Sequence, residues 1–140
     1  MIERIKTDIC IIGAGSGGLS VAAGAAQMGA RVVLIEEGEM GGDCLNHGCV
    51  PSKALLAASA RVPRPTYAEA MAHVRASIAA IAPHDSQERF EGLGVRVIRA
   101  RGAFIGPKTV RAGEAEIEAR RFVVATGSRP MIPAIEGSAE

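Results

Sequence analysis

The chain carries almost no net charge, +1 at pH 7 from 16 Lys and Arg against 15 Asp and Glu. No nucleic-acid or anionic-membrane partner is suggested by that balance. It has no long apolar run. The longest, Ile9–Ala14, is far too short to cross a bilayer, so no membrane segment is expected. Lys6 and Asp8 flank that run and no small-residue cleavage site follows a longer one, so a secretory signal is not expected and the location is read as cytoplasmic. Aromatic residues are sparse, with no Trp and one Tyr. Three cysteines are too few for a disulfide scaffold and fit a redox pair with one bystander.

What the chain does have is glycine, 17 residues gathered in loops, within 140 residues that are 48% hydrophobic and 22% charged. That is ordinary for one globular domain with its own core. Thr7–Ile12 reads as a buried strand, the small residues up to Met28 as a helix ended by Gly29, and Arg31–Glu36 as a second strand, together one βαβ unit. Residues 37–50 form a Gly-rich segment, and 51–61 an Ala-rich helix closed by Pro63-Arg64-Pro65. Thr66 and Glu69 make a capping box. Tyr67, Ala70, Met71, Val74, Ile78 and Ile81 then fall on one helix face before Pro83 stops it. Asp85 and Glu88 form a cap-like pair opening a short helix to Gly92, and Val95–Ala100 reads as a strand. Phe104-Ile105, Thr109–Arg111 and Glu116–Glu118 read as an antiparallel meander. Phe122–Ala125 reads as a separate final strand leading into Thr126-Gly127-Ser128-Arg129-Pro130.

Two motifs carry chemistry. Gly13, Gly15 and Gly18, with Ser16 and Gly17 between them, match the dinucleotide fingerprint: a tight turn, a close backbone approach to a pyrophosphate, and close packing of helix on strand. The helix start would offer N–H groups and a positive dipole to the phosphates. Glu36 ends the second strand 18 residues after Gly18 and can accept hydrogen bonds from ribose hydroxyls, which favours an unphosphorylated ribose as in FAD or NAD. A Gly-rich turn with a surface Glu is the bland alternative.

The second motif is Gly41-Gly42-Asp43-Cys44-Leu45-Asn46-His47-Gly48-Cys49-Val50-Pro51-Ser52-Lys53. On an ideal helix two residues five apart have Cα atoms roughly 8.5 Å apart, beyond the ~7 Å that a disulfide tolerates. Bringing Cys44 and Cys49 together therefore needs a distorted backbone, for which Gly41, Gly42 and Gly48 provide. A strained, accessible pair is readily reduced. Pro51 is read as the first residue of the next helix, whose N-terminus, with Lys53 a turn away, would favour a thiolate at Cys49. Inert thiols, or a metal site of Cys44, His47 and Cys49, are the competing readings, the latter short of a fourth ligand. His47 as a base is a further candidate, and Cys10 reads as a small buried hydrophobe.

Together these residues closely resemble the flavin-dependent pyridine nucleotide–disulfide oxidoreductases, the family that includes dihydrolipoamide dehydrogenase and mercuric reductase. The resemblance rests on Cys44-x4-Cys49-Val-Pro-Ser-Lys53, the Gly13–Gly18 loop, Glu36 and Ala125-Thr126-Gly127. It implies an α/β, Rossmann-like FAD-binding domain over residues 1–140, a parallel sheet with helices on one side and a three-stranded β-meander on the other. This would be the N-terminal portion of an enzyme whose nicotinamide and dimerisation domains lie elsewhere. It further implies that Cys44 meets a small thiol or disulfide substrate and that Cys49 lies by the flavin near Lys53. Gly41, Gly42 and Asp43 would line the cofactor, Ala103 would meet the adenine through its backbone, and Ala125 to Ser128 would close over the cofactor. NAD(P)H would supply electrons to FAD in a full-length homodimer, and 140 residues alone would turn over slowly or not at all. The chain departs from the family's pattern at Asp43, where many members carry Thr, and at His47. A non-enzymatic adenine-nucleotide-binding module with incidental thiols is the rival from another class.

Overall fold

A computed structural model describes residues 2–129 and 131–137. Pro130, read above with the segment after the last strand, lies outside the described residues. The elements run β1 (Glu3–Ile12), α1 (Ser16–Gln27), β2 (Val32–Glu36), α2 (Gly42–Asn46), α3 (Cys49–Ser59), α4 (Tyr67–Ile81), a 3-10 turn (Ala82–Asp85), α5 (Gln87–Gly92), β3 (Arg96–Arg99), β4 (Gly102–Gly106), β5 (Thr109–Ala112) and β6 (Ala115–Val124).

All six strands join one sheet in the order β3-β2-β1-β6-β5-β4. β1 pairs in parallel with β2 and β6, and β2 with β3, while β4, β5 and β6 pair antiparallel. The continuous apolar runs Ile9–Ile12 and Val32–Ile35 suit strands covered on both faces. On one face Ile11, Val32, Leu34 and Val95 pack with Leu19 and Ala22 of α1 and Phe90 of α5. On the other, Cys10, Ile12, Val33 and Ile35 pack with Val110, Ala112, Ala115, Ile117 and Ala119 of the meander. The mixed α/β architecture, with helices on one side of the parallel strands and the meander on the other, is the one expected. Among the described residues no helix is long and apolar enough to cross a membrane.

Several boundaries differ from the sequence reading. β1 begins at Glu3 rather than Thr7, because β6 offers a partner along its whole length and opposite charges across the pair: Arg4 to Glu116 at 3.8 Å and Lys6 to Glu118 at 3.4 Å. Glu116–Glu118 and Phe122–Val124 are not two strands but parts of one, β6, which pairs with β1 from Ala115 to Val124 and ends before Ala125. Arg120 and Arg121 between them interrupt only the side-chain pattern, since both point into solvent while the backbone continues the ladder. The cap of α5 is Ser86, whose Oγ accepts from the Arg89 N–H, and Asp85 instead closes the 3-10 turn. The Thr66–Glu69 capping box forms as read. On α4, Ala70 and Val74 are buried, but Tyr67 and Ile81 of the proposed face are exposed.

Candidate functional site

The glycine loop leaves β1 at its C-terminal end. Gly13 adopts a positive φ of 107°, and a Cβ there would lie 2.2 Å from the carbonyl oxygen of Ala125. A Cβ on Gly18 would lie 1.8 Å from the Gly13 carbonyl oxygen, so α1 can press onto the strand only if residue 18 lacks a side chain. Gly15 is different. Its nearest neighbour would be the Gly42 Cα at 3.9 Å, so inside this chain its lack of a side chain relieves no clash. It caps α1 without any side-chain hydrogen bond, and no acid stands in the first turn of the helix. Free N–H groups, a positive helix end and a bare backbone fit a diphosphate.

Glu36 reaches this loop. One carboxylate oxygen accepts from the Ala14 N–H and the other from the Gly38 N–H, each at 2.6 Å. Each oxygen retains a lone pair for a further donor. Gly102 sits over Ile12 and Ile35, which brings the neighbouring Ala103, exposed on β4, to the same end of the sheet. Ala125 donates its N–H to Ile12 at 2.8 Å and is held beside Gly13 with Thr126. Gly127 and Ser128 continue outward, exposed. The strand ends, glycine loop and helix start thus converge where doubly wound sheets bind nucleotides.

The thiol segment is tied directly to that loop. Gly41 donates its N–H to the Ala14 carbonyl at 2.9 Å, and Gly41 and Gly42 have φ of 86° and 55°, conformations open to glycine. They start α2, a five-residue helix that the sequence reading left inside the Gly-rich segment. The Asn46 side-chain amide donates to Met40 O at 3.1 Å and Gly42 O at 2.9 Å, fastening the turn to the helix. Asn46 was not among the sequence candidates. Its spacing four residues after a glycine, where an amide can bond back to the backbone, is the signal that could have found it. The helix then breaks: His47 and Gly48 both donate to Asp43 O, at 2.9 and 2.6 Å, and Gly48 (φ −117°, ψ −104°) lies outside helical and strand regions. α3 restarts at Cys49 itself, so Pro51 is the third helical residue rather than the first. The Asp43 carboxylate and the His47 ring are exposed at this turn.

The break turns the two cysteines toward one another as free thiols close enough to influence each other's ionisation, Cys44 half-buried and Cys49 exposed. The protonated Cys44 thiol is favoured chiefly by donating to the Cys49 sulfur, which holds its pKa above the ordinary thiol value. Desolvation and the Cys49 charge push the same way, while Lys53 and the Cys49 N–H oppose them. The exposed Lys53 thus acts on Cys44 electrostatically. Cys10 stands apart, fully buried in β1, and burial pushes its thiol up to about 12. Among the described residues no three His, Cys, Asp or Glu side chains converge to hold a metal ion.

Residues 7–140 match the family model described as pyridine nucleotide-disulphide oxidoreductase. The chain belongs to this family. It is 35% identical to dihydrolipoyl dehydrogenase 2, chloroplastic, of Arabidopsis thaliana over 90% of this chain and 25% of that protein. It is 33% identical to glutathione reductase of Burkholderia cepacia over 98% of this chain and 34% of that one. Among solved structures, it matches the HOCl-induced flavoprotein disulfide reductase RclA of Escherichia coli with a TM-score of 0.81 and 27% identity, over 93% of this chain and 30% of that chain. The chain therefore spans a quarter to a third of the length of these relatives. Enzymes of this family bind FAD and use NAD(P)H.

Proposed function

We propose that this chain is the FAD-binding portion of a disulfide oxidoreductase in which Cys44 and Cys49 cycle between disulfide and dithiol. The observation that carries the reading is the direct junction of the two motifs: α2 starts on the glycine loop, through Gly41 to Ala14, and brings Cys44 to Cys49 at the start of α3. FAD, when bound, would take two electrons from NAD(P)H and pass them to the disulfide. In this assignment Gly13–Gly18 with Ser16 and Gly17 hold the diphosphate, Glu36 the ribose, and the Ala103 backbone the adenine. Gly41–Asp43 and Ala125–Ser128 line the remainder. The reduced Cys44 attacks a substrate disulfide, which releases one thiol and leaves a mixed disulfide. Cys49 then attacks the Cys44 sulfur, which releases the second thiol and restores the Cys44–Cys49 bond. The reaction also runs in reverse, oxidising a dithiol as a dihydrolipoamide dehydrogenase does.

Residues 1–140 act as one domain in this proposal. NAD(P)H turnover and a homodimeric state belong to a protein of the relatives' full length, working in the reducing cytoplasm. The test is a visible spectrum of the protein with FAD, before and after anaerobic dithiothreitol. A long-wavelength band on reduction, lost in C49S, is the expected result. FAD that binds with the same spectrum in wild type and C49S would favour an adenine-nucleotide module with incidental thiols.

A further inference from the structure

Beside Cys44 a groove of about 310 Å³ opens between α1, the start of α2, and the turn into α5. That volume sits at the low end for small-ligand pockets, roughly 300–1,000 Å³. Ser20 of α1 forms one wall and Asp85, Arg89 and Phe90 another, while Ser16 and Gly41 form the edge the groove shares with the proposed cofactor loop. The electron-transfer reading uses neither charged group.

Their arrangement is specific. The Arg89 guanidinium donates one N–H to the His84 carbonyl at 2.7 Å, and its central carbon lies 5.5 Å from the centre of the Phe90 ring. Both contacts fix the fork while leaving most of its five donors unused. Asp85 is half-buried on the same groove. Among the described residues neither forms a salt bridge, with the other or with any third group. The Ser20 hydroxyl donates to Ser16 O at 2.7 Å, which leaves its own oxygen free to accept. An unpaired cation, an unpaired anion and an acceptor hydroxyl thus share a small groove with a reactive sulfur.

We propose that Asp85 and Arg89 select the substrate of Cys44, and that they favour a small disulfide bearing amino-acid head groups. Arg89 takes the carboxylate by charge-assisted hydrogen bonds and Asp85 takes the ammonium. This rests on the assignment of Cys44 as the thiol that meets substrate. It narrows that substrate away from an uncharged disulfide such as lipoamide, which would leave both charges unpaired. Lys53 already provides a positive field at Cys44, so overall charge preference alone does not test the idea; matched probes do.

The experiment follows oxidation of the reduced 140-residue chain by excess L-cystine, cystamine or 3,3′-dithiodipropionate, counting free thiols by mass after alkylation. Cystamine lacks the carboxylates of cystine, and dithiodipropionate lacks its ammonium groups. Each rate is divided by that of dithiothreitol with the same probe, which removes intrinsic reactivity. R89Q should lower the cystine-to-cystamine ratio about tenfold, the loss expected for one charge-assisted contact. D85N should lower the cystine-to-dithiodipropionate ratio by several-fold, and R89K should fall between R89Q and wild type. Ratios in R89Q and D85N within twofold of wild type would overturn the selection. C44S separates the two layers. If its remaining thiol consumes cystine at the wild-type rate, the assignment of Cys44 itself fails; if C44S is inert while the ratios stay flat, only the selection by Asp85 and Arg89 fails.

Discussion

The Cα of Gly42 lies against the Cα of Gly15, close enough that a methyl group on Gly42 would come within 2.7 Å of it. One is the capping residue of the nucleotide helix and the other opens the thiol helix. Gly42 cannot gain a side chain without parting the two motifs, whereas a Cβ on Gly15 would meet Gly42 only at 3.9 Å, an ordinary contact.

From this contact follows the behaviour of G42A. The substituted residue would have to hold a φ of 55° and displace the Gly15 backbone. Left-handed conformation alone costs an alanine about 1–3 kcal/mol. The urea midpoint should fall accordingly, and affinity for FAD should fall with it. G24A is the control, since a Cβ at Gly24 in α1 meets nothing within 4 Å and Gly24 lies outside the glycine loop. Equal effects of the two substitutions would show that the contact does not join the motifs.

Thiol reactivity is the second measurable consequence. Because the Cys49 thiol is the largest influence raising the Cys44 pKa, C49A should shift the pH profile of Cys44 alkylation to lower pH. Lys53 lowers it, so K53Q should shift the profile to higher pH in the chain with both cysteines. The wild-type profile belongs to the pair rather than to one residue. Peptide mapping after timed iodoacetamide treatment reads the two shifts; movement of both variants in one direction would contradict this account of the pair.

A pH dependence of stability arises far from the thiols. Asp8 is held at about 2, below its ordinary value of 3.8, chiefly by the side-chain hydrogen bond from Arg31, with the Arg31 backbone N–H adding to it. A depressed carboxylate pKa means that the unfolded chain binds a proton first. The stabilising contribution is therefore complete above about pH 4 and is lost as pH falls toward 2. D8N should be less stable than wild type near neutral pH, and the difference should shrink through that window. A gap that stays constant from pH 6 to 2 would rule out the Asp8 carboxylate as its source.

The βαβ unit, the meander and the dinucleotide loop were legible in the sequence because each is written locally: apolar runs, glycines at fixed offsets, turn residues between short strands. What escaped depends on partners distant in the chain. Nothing in residues 3–6 reads as a strand until Ala115–Glu118 lies alongside. Arg120 and Arg121 look like a break until the backbone of β1 is seen to run past them. At the site, the spacing of Cys44 and Cys49 correctly demanded a distorted backbone, yet the distortion proved to be two helices broken at Gly48, with Cys49 itself opening the second. Asp85 was read as half of a helix cap. Its place on the Cys44 groove appears only when the turn before α5 folds against α1.

The Glu36 carboxylate braces the loop between Ala14 and Gly38 before any ribose arrives. On the proposed assignment of Glu36 to the ribose, nucleotide preference and loop architecture share one side chain. Redesigning this domain for a phosphorylated ribose by exchanging Glu36 for a neutral or basic residue would also orphan two backbone donors. A change of coenzyme here needs a compensating acceptor elsewhere, so a single-residue path to a new specificity crosses a less stable intermediate.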